Sequence, residues 1–306
     1  VQRSVDRAVD RRRPEDLLVD PDGFMLHVVR PPNSAGRPVV FAETGLGGTG
    51  ADWESVSEFL DQSAALWVPD RPGLGWSDFR PDGDAGIPGA IARLEVMRAA
   101  AGVQEPTVIA GWSLGALLAV GVASVRPDLV AGLVLVEPSH PDEAKKFSDP
   151  SANPIGQFGL MVAGRLSTLG GAAAVGVPGR RYLLRTGART GRSVPADTVT
   201  FATARSGRAI LEELARFSDR CNEVAAAIAA NGLPDIPCHV LTAVDRPVAE
   251  RADEWAEMHR DLVSWFPQGE LTNVTGSGHN MVLDRPDAVA DAITAMITLV
   301  ASRPSE

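Results

Sequence analysis

Unbroken apolar runs alternate with helical spacing along this chain, and that alternation limits the available folds more than any other feature. PVVFAE (38–43), ALWVPD (65–70), PTVIA (106–110) and LVAGLVLVE (129–137) are short, rich in β-formers and apolar at consecutive positions. A strand with no polar face must be covered on both sides, the situation of a parallel sheet between layers of helices. Trp53, Val56 and Leu60 share one helical face, Ile87 to Ala101 reads as a helix stopped by Gly102, and Leu114 to Ser124 reads as another. Strand character returns at CHVLTAV (238–244) and ELTNVTG (270–276), with a helix through Trp255 to Trp265 between them. A last helix runs to about Ala301, with Pro286 suited to its first turn. The expected class is α/β.

Between these two blocks the pattern breaks. Residues 140–233 hold helical fragments, among them 209–217 and 221–230, and no convincing strand; a stretch this long is not a loop in a compact domain. The expected division is a core of 20–139 and 234–306, a helical cap of 140–233 and a leader of 1–19. The leader is polar, ends in Arg11-Arg12-Arg13 and reads as a solvated, flexible tail, with a frayed helix or the stub of an anchor as alternatives. The apolar-leaning stretch 158–177 carries Arg165 and several glycines, so it reads as a segment covering a pocket rather than one spanning a bilayer. Phe158, Leu160, Met161, Leu166 and Leu169 would line an apolar acyl or alcohol pocket, or simply pack.

A formal net charge of -10 argues against a nucleic-acid partner, which needs a basic face. Cys221 and Cys238 are too few for a disulfide framework and sit in no Cys/His cluster that could hold zinc. The loop GLGGTG (45–50) lacks the Lys-Ser/Thr ending of a phosphate-binding loop and the spacing of a dinucleotide fingerprint. Dinucleotide binding stands as a weak alternative, no metal is expected, and the expected partner is a small molecule with an apolar portion.

The chemistry centres on VIAGWSLGALLAV (108–120), where Ser113 stands between Gly111 and Gly115 at the junction of a strand and a helix. Such a turn holds the serine in strained backbone geometry and projects its hydroxyl clear of the sheet, while the following helix aims its first amides at the same spot. A serine hydroxyl needs a base of matched pKa within reach. Of five histidines, His279 in the loop TGSGHNMV follows the last strand, so it opens on the same sheet edge as Ser113. His27, His140, His239 and His259 lie in less suitable places. The imidazole in turn needs a carboxylate. Asp245 and Glu137 both end neighbouring strands at that edge; chain order leans to Asp245, and the choice stays open. The N–H groups of Leu46, in the glycine loop, and of Leu114, after the nucleophile, are the candidate oxyanion donors.

GWSLG, DRPGLGWSD, ETGLGG and GSGHNMVLDRP together resemble the α/β-hydrolase superfamily from about Asp20 onward. The resemblance implies a mostly parallel eight-stranded sheet with helices on both faces, a helical cap after the sixth strand, no cofactor and a Ser-His-acid triad. It also implies that Asp70 and Arg71 shape a turn beside the site rather than act chemically. Three positions depart from the common pattern: Thr44 stands where many relatives have His, Trp112 replaces a frequent His before the nucleophile, and the usual acid position after the seventh strand holds Arg246. Some similar bacterial proteins with this glycine loop carry a membrane helix ahead of the domain, so two expectations stand, a cytoplasmic protein or one anchored through a preceding segment.

The expected activity is cofactor-independent cleavage of an ester, thioester or lactone through an acyl-enzyme. Carbon–carbon bond hydrolysis, cyclisation or elimination in the same pocket is the first alternative, and an inactive binding protein on the same fold is the second. Epoxide and haloalkane hydrolysis are disfavoured because those mechanisms place aspartate where Ser113 stands.

Overall fold

The computed structural model describes residues 2–15, 17–80, 86–146, 170–187, 196–245 and 249–303. Helix α1 (Gln2–Asp10) precedes a small hairpin, β1 (Leu18–Val19) and β2 (Met25–Leu26), and the strand β3 (Val28–Val29). There follow β4 (Val39–Glu43), α2 (Glu54–Leu60), β5 (Ala65–Pro69), α3 (Ile87–Ala101), β6 (Thr107–Trp112), α4 (Leu114–Val125) and β7 (Val130–Val136). The next block contains α5 (Glu143–Lys146), α6 (Ala172–Gly187), α7 (Ala204–Ala215) and α8 (Phe217–Asn231). The chain closes with β8 (Cys238–Ala243), α9 (Ala249–Ser264), β9 (Gly269–Val274), α10 (Met281–Asp284) and α11 (Pro286–Ala301).

One sheet runs in the order β3-β5-β4-β6-β7-β8-β9, parallel throughout except for β3 against β5. Successive side chains leave a strand on opposite faces, so each run feeds two cores. Phe41, Ile109, Leu133 and Leu135 pack with α3, α4 and α8 on one side. Val40, Ala42, Val108, Ala110, Val134 and Val136 pack with Trp53, Val56 and Leu60 of the opposite layer and with α11 through Ile293 and Met296. That double coverage explains why these strands show no polar alternation.

Helix α3 has the expected bounds and ends at Gly102 in the left-handed region, φ 68°, where glycine carries no side-chain penalty. The main sheet has seven strands among the described residues, one fewer than the resemblance implies. Strand pairing breaks at His27, whose N–H donates to Ser77 Oγ, so Val28–Val29 joins β5 while Met25–Leu26 pairs with Leu18–Val19 across a turn where Asp20 accepts from the N–H groups of Asp22 and Phe24 and Gly23 has φ 85°. The first strand therefore pairs within its own hairpin.

The leader also departs from expectation. Helix α1 is docked, with Gln2 and Val9 buried. The Gln2 side chain donates to the Ala202 carbonyl and accepts from Ala173 N–H, and Asp6 accepts from Ala204 N–H. These polar contacts all land on residues of 140–233, whose described parts contain helices and no strand. Phe158, Leu160, Met161, Leu166 and Leu169 lie outside the described residues. Cys221 and Cys238 are both buried thiols. Among the described residues no helix is long and apolar enough to cross a membrane.

Candidate active site

Ser113 stands between β6 and α4 at φ 56° and ψ -118°, a conformation that costs a non-glycine residue about 1–3 kcal/mol and persists only where its surroundings enforce it. They do so here through four backbone bonds. Ser113 N–H donates to Val136 O at 3.1 Å, and its carbonyl accepts from Ala116, Leu117 and Ser139 N–H at 3.0, 3.2 and 3.1 Å. The flanking glycines serve close approach. A Cβ at Gly111 would lie 2.5 Å from Ala116 Cα, and one at Gly115 would lie 2.3 Å from the Glu43 carbonyl oxygen. Gly115→Ala must therefore push α4 off the end of β4; we expect a loss of about 1–3 kcal/mol in urea unfolding, and wild-type stability in that variant would contradict the tight approach.

His279 follows β9 in a loop fixed on several sides. Gly278 N–H donates to Asp284, and the Trp112 indole N–H donates to the His279 carbonyl at 2.8 Å. Trp112 and Trp255 flank the imidazole, the latter edge-on with ring centroids 5.8 Å apart. The imidazole Nε2 lies 3.0 Å from Ser113 Oγ, and Nδ1 lies 3.3 Å from Glu137 Oε2. Ser113 is 8% exposed and the His279 side chain 38%, so the pair is open at the imidazole.

Of the two carboxylates left open by the sequence, the geometry sets Glu137 against His279. Glu137 closes β7, next to β6, the strand that leads into Ser113, and turns the chain at φ 47°. Its other oxygen, Oε1, accepts from Ala243 N–H at 2.5 Å, and the carboxylate is fully buried. The lean to Asp245 is corrected accordingly. Asp245 accepts from Gly276 N–H at 2.6 Å and so ties the end of β8 to the loop that carries His279. Buried His259 braces the corner after Glu137: its Nε2 is 2.9 Å from the Pro138 carbonyl, which can only accept, so Nε2 bears the proton and Nδ1 takes the Thr242 hydroxyl at 2.7 Å. The remaining histidines go elsewhere, His27 to Asp70, His140 to Asp261 and His239 to Thr272. Half-buried Glu143, at the start of α5, has its carboxyl raised above the usual range by burial, against the Ser139 hydroxyl, the His279 charge and the His140 N–H.

Leu114 contributes the first amide of α4, where a helix lacks internal acceptors for its N–H groups. Leu46 sits in the turn closed by Gly48 N–H on the Gly45 carbonyl. Asp70 shapes its turn as expected, accepting from Trp76 and Gly50 N–H. Arg71 does more. It is fully buried and donates to the Thr44 carbonyl at 2.7 Å, to the Gly45 carbonyl at 2.6 Å and through a two-pronged contact to Glu213 of α7 at 2.6 and 3.0 Å. Burial opposes its charge, but Glu213 and then Glu43 outweigh that cost and hold the guanidinium above its already high range. Arg93 meets Glu43 from behind at 2.8 Å. Glu213 and Arg93 carry no motif, and Glu43 opens the ETGLGG loop without the sequence giving it a role. The one sequence hint for Glu213 is its place on a helical face shared with the small residues Ser206 and Ala209. Among the described residues no cluster of three or more His, Cys, Asp or Glu side chains could hold a metal ion.

A model of the alpha/beta hydrolase family matches residues 39–292. Among curated proteins, the polyketide synthase ThaQ of Burkholderia thailandensis is 27% identical over 291 residues, covering 92% of this chain; the chain spans only 13% of that synthase's length. Among solved structures, an esterase from Thermogutta terrifontis aligns with TM-score 0.68 and 19% identity over 93% of this chain and 98% of its own. A haloalkane dehalogenase variant from Bradyrhizobium elkanii aligns with TM-score 0.64 and 16% identity over 93% and 97%.

Proposed function

Since the chain belongs to the alpha/beta hydrolase family, we propose that it is a cofactor-independent serine hydrolase that cleaves a carboxylic ester, thioester or lactone through an acyl-enzyme. The observation that carries this reading is the contact of 3.0 Å between Ser113 Oγ and His279 Nε2, with Glu137 on the far side of the imidazole. Ser113 attacks the carbonyl carbon as His279 takes its proton. The negative charge that develops on the carbonyl oxygen is met by the N–H groups of Leu46 and Leu114. His279 then protonates the departing alcohol or thiol, and water repeats the sequence to free the acid. Glu137 keeps a proton on Nδ1, so that Nε2 faces the serine as a base, and it stabilises the imidazolium while the charge lasts.

The dehalogenase neighbour shares the fold, but displacement of a halide needs a carboxylate nucleophile, and position 113 is a hydroxyl. The indole rings of Trp112 and Trp255 beside His279 favour a substrate with an apolar portion.

The test is covalent. Incubation with a fluorophosphonate is expected to add one phosphonyl group, which peptide mass spectrometry places on Ser113, and p-nitrophenyl esters of increasing chain length should be turned over. Intact, folded protein that neither takes the label nor cleaves any ester or thioester would move the assignment to a binding role.

A further inference from the structure

Four charges, Arg93, Glu43, Arg71 and Glu213, lie buried in series beneath the glycine loop, each at most 6% exposed. Arg93 contacts Glu43 at 2.8 Å, Glu43 approaches Arg71 at 3.5 Å, and Arg71 meets Glu213 at 2.6 Å. Such a series adds little net stability, because desolvation consumes most of the attraction. What it does supply here is orientation. The groups it binds are the Thr44 carbonyl, the Gly45 carbonyl and the Gly47 N–H, the last at 2.7 Å from Glu213 Oε2. These are the backbone groups on either side of the Leu46 amide.

A trans peptide is planar, so its C=O and N–H point in opposite directions. The carbonyl of Gly45 and the N–H of Leu46 belong to one such plane. Fixing the first on the Arg71 guanidinium therefore fixes the direction of the second, and a cation on the carbonyl also polarises the peptide toward a stronger N–H donor. On its other side the same turn is pressed against the nucleophile segment: a Cβ on Gly45 would meet the Trp112 ring at 3.1 Å, and one on Gly115 would meet the Thr44 carbonyl at 2.5 Å. The Leu46 amide is held between the nucleophile and the charges.

We propose that Arg71 and Glu213 are the positioning residues of the oxyanion hole, and that the 140–233 segment, through Glu213 on α7, must be docked for the Leu46 donor to be aimed. The proposal rests on the serine-hydrolase reading with Leu46 as a donor. It gives Arg71 a part in the reaction that exceeds turn-shaping, and it makes the cap a component of the catalytic apparatus as well as a cover.

The experiment compares Glu213→Gln, Arg71→Lys and, as a control, Arg180→Gln. Arg180 on α6 also joins the cap to the core, through an ion pair with buried Asp52, but it does not touch the Gly45–Leu46 peptide. For a p-nitrophenyl ester, Glu213→Gln and Arg71→Lys should lower kcat about ten- to a hundredfold, because one donor of such a hole is worth about 10²- to 10³-fold and a misaimed donor loses part of that. KM should stay within about twofold, and the inhibition constant of a trifluoromethyl ketone, whose adduct carries the oxyanion, should rise by the factor that kcat/KM falls. Arg180→Gln should lower the melting temperature yet leave kcat and that inhibition constant within about twofold. Arg71→Lys keeps a cation opposite Glu213, so it serves where Glu213→Gln does not fold.

Turnover lost in Ser113→Ala but retained at the wild-type rate in either folded variant overturns the proposal alone. So does an equal kinetic loss in Arg180→Gln, or an effect confined to KM. Wild-type protein that is inert to esters, thioesters and fluorophosphonate overturns the hydrolase reading and this proposal with it.

Discussion

Ser113→Ala protein is expected to keep wild-type stability within about 1 kcal/mol and to lose ester turnover by about 10⁴- to 10⁶-fold, the size of loss seen when a nucleophile is removed from a serine hydrolase. Stability should hold because the elbow is fixed by backbone bonds from Val136, Ala116, Leu117 and Ser139, which do not involve the side chain. The backbone strain at φ 56° is the same for alanine as for serine. Turnover should fall because the substitution removes the hydroxyl that lies 3.0 Å from the imidazole. Steady-state kinetics and urea unfolding of the same preparation check both halves. Residual activity within a hundredfold of wild type would mean that Ser113 is not the nucleophile, and reaction through His279-activated water would become the account to pursue.

Glu137→Gln and Asp245→Asn should separate sharply. Glutamine at 137 can still accept from Ala243 N–H, so the corner should survive, but the group facing Nδ1 of His279 becomes an amide. Its NH₂ would drive the imidazole into the tautomer that presents a proton, rather than a lone pair, to Ser113. A loss of about 10³- to 10⁴-fold in kcat is expected, in line with the cost of a wrong tautomer in such triads. Asp245→Asn retains an acceptor for Gly276 N–H, and its effect should be at most about tenfold in kcat, with a stability loss of about 1 kcal/mol. The reverse ranking, measured as kcat on one ester substrate, would return the acid role to Asp245.

Much of this molecule was legible because its signals are local. The apolar strands announced two-sided burial, Gly102 ended α3 where a left-handed residue was needed, and Ser113 with its two glycines marked a strand-to-helix elbow. His279 could be picked by the sheet edge its loop opens on. The acid could not, because Asp245 and Glu137 both end strands at that edge. What separates them is which contacts the β9–α10 loop makes, with Gly276 N–H donating to one carboxylate and the imidazole reaching the other. The Arg71–Glu213 pair was invisible for a stronger reason: its members lie 142 positions apart, and although Arg71 sits in the DRPGLGWSD turn, nothing around Glu213 marks it as the partner. Side-chain pairing across that separation is decided by packing of the 140–233 segment on the core, which leaves no periodicity to read. The hairpin of Leu18–Val19 and the docked α1 were missed likewise, since such short segments reveal little about what they meet.

The contacts of α1 bear on how such a scaffold can be diversified. Gln2 and Asp6 supply hydrogen-bond partners to Ala173, Ala202 and Ala204, so helix α1 and the 140–233 segment are tied into one mechanical unit. A chimera that imports a foreign 140–233 segment while retaining the host's α1 would strand amide and carbonyl groups at the graft. Recombination between homologues should succeed most often when both pieces travel together, which makes helix α1 a hidden partner in any change of substrate range.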